Sequence, residues 1–369
     1  MARFPVLGIP LRLFKMLFNL SPALRNRLLN LSLALILATL ALAPFLFSGA
    51  QAINTAAKIC VFIVLVASFD LLLGYTGIVS FAHTMFFGIG AYGVAIALTR
   101  LGPSWTAVGA GVAAALAMSL VLSLVIGLFS LRVKAIFYAM ITLAVASAFQ
   151  TFASQLSEIT GGEDGLSFKV PEMLRHGYAL SDQPFLGVSL DGKLISYYLL
   201  FALTVVLFLL MLRIVNSPFG RVLQAIREND FRAEALGYRT VVYRTLSNVL
   251  SAGFATLAGA LLALWLRYNG PDTSLSFEIM IDILLIVVIG GMGTMYGAVV
   301  GATLFVIAQN YLQDLMRLAS DAAAGIPLLS NLLHPDRWLL WLGILFILSV
   351  YRFPSGIVGK LRAKARGQP

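Results

Sequence analysis

Apolar residues in this chain neither alternate with polar ones nor recur every three or four positions; over most of its length they run on without a break. The stretches 28–47, 52–73, 77–98, 106–131, 135–152, 196–215, 246–266, 277–289, 298–316 and 338–351 are almost free of charge. Most are near the roughly 20 residues that carry an α-helix across a bilayer. The pattern predicts an all-α polytopic membrane protein with about ten transmembrane helices. One run is too short: thirteen residues from 277 to 289 span only about 20 Å at 1.5 Å per residue, against a hydrocarbon core of about 30 Å. That segment must finish its crossing through the Gly-rich sequence after it, or turn back.

Composition agrees with the pattern. Of 369 residues, 60% are hydrophobic and 11% charged, where soluble domains carry roughly 25%. The net charge of +10 would suggest nucleic-acid binding in a soluble protein. Here the basic residues sit between the spans, where they set topology and meet anionic lipid. With the N-terminus placed inside, eighteen of the 26 Lys and Arg fall on the inner side and seven on the outer, with Lys58 near the outer end of the second span. Both termini are therefore expected to be cytoplasmic. The division is a basic amphipathic N-terminus (1–27), a transmembrane domain (28–353) and a basic cytoplasmic tail (354–369). Residues 11–18 mix Arg12 and Lys15 with apolar side chains, as an interfacial helix or a basic tail would. The first span reads as a signal anchor, because its basic lead and apolar run both exceed those of a cleaved signal.

Two connectors are long. The outer one, 155–195, carries six acids and is expected to be periplasmic; the inner one, 216–245, opens with the helix-start signal Asn216-Ser217-Pro218 and continues in helix-forming composition. It is expected to form short helices against the inner membrane face.

Two spans are interrupted. Gly74-Tyr75-Thr76-Gly77 leads through Ser80 and His83 to Gly88, Gly90 and Gly93, and a second cluster runs from Gly290-Gly291-Met292-Gly293 to Gly297 and Gly301. Broken helices are tolerated in lipid only where the backbone is buried in protein or lines a cavity, and paired breaks in two halves of a chain point to a transport site. Small residues also let helices pack closely, which is the structural alternative for each glycine taken singly. Asp70, His83, Glu278 and Asp282 are ionisable groups in or beside spans, where such groups usually face the bundle interior. Glu278 and Asp282 lie four apart on one helix face, either holding Arg267 across a short loop or forming an acidic vestibule at the outer mouth. The lone Cys60 can form no intramolecular disulfide, His83, His176 and His334 are far apart, and no nucleophile–base set or metal spacing is present. No metal site and no catalytic residue are expected.

At this point the residues carry a resemblance. Gly74-Tyr75-Thr76-Gly77 with Ser80-Phe81-Ala82-His83 and Phe86-Phe87-Gly88-Ile89-Gly90 is similar to a signature of branched-chain amino acid ABC importer permeases. Further matches follow in order: Tyr138-Ala139-Met140-Ile141-Thr142, Thr160-Gly161-Gly162-Glu163-Asp164-Gly165-Leu166, Ser217-Pro218-Phe219-Gly220-Arg221, Ala225-Ile226-Arg227-Glu228-Asn229, Gly290-Gly291-Met292-Gly293-Thr294 and Pro354-Ser355-Gly356. The chain most resembles the M-type subunit with the long external loop. It departs from the wider importer pattern at Glu234-Ala235-Leu236-Gly237, which lacks the usual spacing between an Ala-rich start and its Gly.

The resemblance implies a multi-pass subunit of the bacterial inner membrane. Its partners would be a second homologous permease, two cytoplasmic ATPase subunits and a periplasmic binding protein; ATP and Mg would sit on the ATPases, and this chain would bind no cofactor. The inner loop would couple the two parts through Arg221, Arg227, Glu228, Asp230, Arg232, Glu234 and Gly237, with Ile226, Phe231 and Leu236 as apolar anchors. Tyr75, Thr76, Ser80, His83 and Thr142 are candidates for the substrate path, and Gly161, Gly162 and Asp164 for the external loop. Branched side chains offer only methyls, so selectivity could lie in the binding protein. An ion-coupled transporter using Asp70, Glu278 and Asp282 is the alternative, although it needs no thirty-residue basic docking element. The family carries branched-chain and other amino acids, urea, amides and aromatic acids, and the residues do not sort among them.

Overall fold

A computed structural model describes residues 27–47, 49–130, 135–175, 177–178, 191–322 and 331–365. The expected interfacial helix at 11–18, part of the outer loop with His176, and the last residues of the tail lie outside them. The helices are α1 (Arg27–Leu46), α2 (Ala50–Thr76), α3 (His83–Leu101), α4 (Trp105–Ser130), α5 (Ala135–Gln155), α6 (Gly192–Asn216), α7 (Pro218–Glu228), α8 (Asp230–Ala235), α9 (Thr240–Leu266), α10 (Phe277–Gly290), α11 (Met295–Ala322), α12 (Trp338–Arg352) and α13 (Gly356–Ala365). Among the described residues ten helical segments are long and apolar enough to cross a membrane. This is a multi-pass, all-α membrane protein.

Helix α2 is the axis. Nearly all of it from Thr55 to Thr76 is buried, with α6, α9 and α11 around it and His83 of α3 bonded to it. The outer helices instead leave large apolar side chains such as Leu31, Val121, Met140 and Leu348 uncovered, the surface that lipid or a membrane partner would cover. Lipid tails are as apolar as leucine, so burial alone does not drive these helices together; close packing and interhelical hydrogen bonds do. At the crossing of α3 and α9 there is no room for a Cβ at Gly90 or Gly259, because the Thr256 and Phe87 carbonyls already occupy the space. A stripe of small polar residues on α9 supplies the hydrogen bonds. Ser247 meets Thr76 at 2.7 Å, Ser251 donates to Ser68 O at 2.5 Å, Thr256 donates to Ser119 at 2.6 Å and Asn248 donates to Ser123 O at 2.8 Å.

The sequence expected the third span to begin at 77. The structure ends α2 at Gly77, whose left-handed backbone (φ 77°) returns its N–H to the Leu72 and Leu73 carbonyls, and starts the next helix only at His83. The second break runs from Gly291 (φ 111°) through Gly293 (φ 76°) to Met295. The short run thus does not turn back. A four-residue turn, Pro271–Ser274, precedes α10 and lengthens its crossing.

The long outer loop is tied to the bundle by two short strands, β1 (Leu166–Ser167) and β2 (Tyr268–Asn269), paired antiparallel with Leu166 opposite Asn269. We call this side of the molecule the loop face. Helices α7 and α8 lie on the opposite face.

Candidate functional site

On the face opposite the loop, α7 is built as an amphipathic helix. Ser217 caps it through the Gly220 N–H and Pro218 occupies its first turn, an arrangement favoured because proline has no amide hydrogen to leave unpaired. Leu223 and Ile226 point into the bundle, while Arg221, Arg227 and Glu228 are on the exposed side. Asn229 caps α8 by accepting from Arg232 N at 2.9 Å, and Gly237 (φ 90°) closes it. Asp230 pairs with Arg244 at 3.0 Å and Glu234 accepts from Thr240 at 2.6 Å. Among the expected anchors, Ile226 is corrected: only 1% exposed, it holds α7 to the bundle. Phe231 at 84% and Leu236 at 72% remain fully available.

Arg227 also turns inward. Its guanidinium donates from Nη1 to the Gly74 carbonyl at the first break. Asp70, one turn earlier on α2, accepts the Gly293 N–H of the second break at 2.8 Å through Oδ1. A Cβ at Gly293 would lie 2.8 Å from Arg227 Nη1, and one at Gly77 would lie 3.1 Å from its Cγ. The two interrupted segments and the surface helix therefore meet at one junction. Asp70 is 2% exposed, so it is a buried tie between breaks rather than a group snorkelling to the interface.

The polar residues beside the first break are buried and satisfied by neighbours. His83 Nε2 lies 2.8 Å from Ser68 Oγ and 3.3 Å from Leu65 O, bracing α3 to α2. Thr142 Oγ1 accepts Phe81 N at 3.0 Å and donates to Ala139 O at 2.9 Å. Ser80 hydrogen-bonds the Tyr138 hydroxyl, and Tyr75 is 5% exposed. On the loop face, Gly161 and Gly162 take left-handed backbone (φ 76° and 65°), the Asp164 carbonyl accepts from Tyr268 at 3.1 Å, and Thr160 donates to Ala153 O at 2.6 Å.

Between the loop-face ends of α2, α9, α10 and α11 lies a cleft of about 900 Å³ that includes Glu278 and Asp282. Asp282 is held within it by Gln309, whose Nε2 donates at 3.2 Å, while Lys58 Nζ donates to Gln309 Oε1 at 2.8 Å. Asn310 donates to Thr55 at 3.1 Å. Arg267, expected beside the carboxylates, sends Nη2 to the Leu174 carbonyl at 2.8 Å; burial lowers its pKa, partly offset by Asp191. Gln309 and Asn310 were not singled out from sequence, and Lys58 was placed near the outer end of its span without a role. The readable signal was three polar side chains near the loop-face ends of two apolar helices. Three of the four helices around the cleft also reach the junction: Lys58 and Gly74 are sixteen residues apart on α2, about 24 Å along its axis, and α10 and α11 flank the second break.

Comparison with known proteins fits this geometry. The family described as branched-chain amino acid transport system / permease component matches residues 51–350. The high-affinity branched-chain amino acid transport system permease protein LivM of Salmonella typhimurium is 28% identical over 308 residues, covering 79% of this chain and 71% of its own. LivM of Escherichia coli matches to the same extent, and BraD of Pseudomonas aeruginosa is 25% identical over 279 residues, covering 72% and 87%. No solved structure matches. The match to residues 51–350 includes both breaks, the junction and the cleft, and the chain belongs to the branched-chain amino acid transport permease family.

Proposed function

We propose that this chain is the membrane-spanning half of an ATP-driven importer for branched-chain or closely related amino acids, working beside a second homologous permease in the bacterial inner membrane. Two cytoplasmic ATPase subunits dock on α7 and α8, and a periplasmic binding protein delivers solute at the loop face. The termini and 216–245 are cytoplasmic, and 155–195 is periplasmic. The chain hydrolyses nothing itself; ATP and Mg belong to the ATPases.

The observation that carries this reading is the Arg227–Gly74 contact. A surface helix with exposed charges on one side and exposed Phe231 and Leu236 next to it has the mixed character of a docking element. Its arginine reaches the point where two transmembrane helices are broken, so movement of α7 is felt first where the spans are least stiff. Tyr75, Thr76, Ser80, His83 and Thr142 hold the bend beside which solute passes. Reconstitution of the complete transporter tests the reading: uptake of labelled leucine is expected to require ATP and loaded binding protein and to survive collapse of proton and sodium gradients. Uptake that follows an ion gradient without ATP overturns it in favour of ion coupling through the buried carboxylates.

A further inference from the structure

We propose that the loop-face cleft is a binding vestibule for an amino-acid zwitterion, with Lys58 taking the α-carboxylate and Asp282 and Glu278 taking the α-ammonium. The proposal rests on the importer reading and adds a selective site to the permease itself.

Opposite charges that touch within a membrane protein neutralise each other. Here they are kept apart by an amide. Gln309 accepts from Lys58 through Oε1 and donates to Asp282 through Nε2, so the ammonium and carboxylate interact across it without forming a direct ion pair. An ammonium has three N–H donors and a carboxylate has two oxygens. Gln309 uses one donor and one oxygen, and both Lys58 and Asp282 line the cleft. Glu278, four residues before Asp282 and exposed, adds a second negative charge on the same helix face.

A zwitterion placed beside Gln309 meets both signs in the order it carries them. A free amine or a free carboxylic acid meets only one, and leaves the opposite charge with its amide partner alone. Part of the wall suits an aliphatic side chain: Phe62, Phe87, Leu262 and Ile279 line the same cavity, which Lys193, Arg267 and Asp272 also border. At about 900 Å³ the cleft is at the upper end of ligand pockets, so one small amino acid is held at a charged corner with the rest of the space open. Such weak holding lets solute leave again, as flux requires.

The test uses the complete transporter in proteoliposomes without binding protein. Ser276, which lines the cleft and makes no side-chain capping bond, is replaced by cysteine and labelled with a thiosulfonate reagent. Leucine is expected to slow labelling, whereas 3-methylbutylamine and 4-methylpentanoate, each carrying one of its two charges, are not. Lys58→Met and Glu278→Gln are each expected to raise the leucine concentration needed for protection about ten- to a hundredfold, from the loss of a charge-assisted bond, and Lys58→Arg is expected to retain protection. Glu278 is exposed, so its variant keeps the test valid if Lys58→Met fails to assemble. A complex that imports leucine but shows no protection, or equal protection by the amine and the acid, overturns the vestibule alone. A complex that imports no amino acid overturns the importer reading and the vestibule with it.

Discussion

Arg227 on the surface helix α7 donates its guanidinium to the carbonyl of Gly74, the residue at which the central helix α2 begins to break. A freed carbonyl near a helix terminus is a ready acceptor, and a charged donor gives it a stronger bond than a neutral one. The bond joins a surface helix to one buried at the centre of the bundle.

Arg227→Ala is therefore expected to lower transport-coupled ATP hydrolysis about tenfold, the worth of one charge-assisted bond, while basal hydrolysis by the assembled ATPases continues. The check is ATPase activity of the reconstituted transporter with and without loaded binding protein. Stimulation equal to wild type would remove Arg227 from the coupling route.

Asp70→Ala strips the Gly293 N–H of its acceptor. A buried donor left unpaired costs about 1–3 kcal/mol, so thermal unfolding of the purified protein is expected at a lower temperature. Asp70→Asn keeps a carbonyl oxygen in place and is expected to lose less.

Gly259→Val puts a branched side chain where the Phe87 carbonyl sits. Overpacking typically costs about 1–3 kcal/mol, and here the contact is with backbone, which cannot rotate away. Less folded protein and weaker association between fragments carrying α3 and α9 are expected, read out by detergent-resistant assembly and co-purification.

Phe231→Ser should behave in the opposite manner. The ring is 84% exposed, so stability of the isolated chain is expected to change by no more than about 0.5 kcal/mol. Binding of the ATPase subunits, followed by titration in detergent, is expected to weaken by about 2 kcal/mol, as for an aromatic anchor in an interface.

Long apolar runs made the spans readable, because a segment surrounded by lipid has no polar face to disguise it. Both breaks were readable for a related reason: glycine is costly within a helix and clusters where backbone must turn or approach closely. The cap at Ser217 was visible from Asn216-Ser217-Pro218. Partners far apart in sequence were not. Lys58 and Gln309 meet across 251 residues, and nothing local to either announces the other. Ile226 illustrates a different limit: composition marked it as apolar on a surface helix, but only the helix orientation decides whether it faces a partner or its own bundle. Arg267 likewise found a backbone carbonyl rather than the carboxylates that charge alone suggested.

The burial of α2 carries a consequence for biogenesis. A helix enters the bilayer soon after synthesis, yet the groups that satisfy α2 arrive late: Ser251 follows Ser68 by 183 residues and Gly293 follows Asp70 by 223. Until the second break has been translated, Asp70 at the centre of the finished protein lacks the Gly293 N–H, although His83 on the next helix already reaches Ser68. Its carboxylate must be held meanwhile by the insertion machinery or by residual water. Truncation anywhere before Gly293 thus leaves the buried Asp70 without the tie it has in the finished protein, however many complete spans precede the stop.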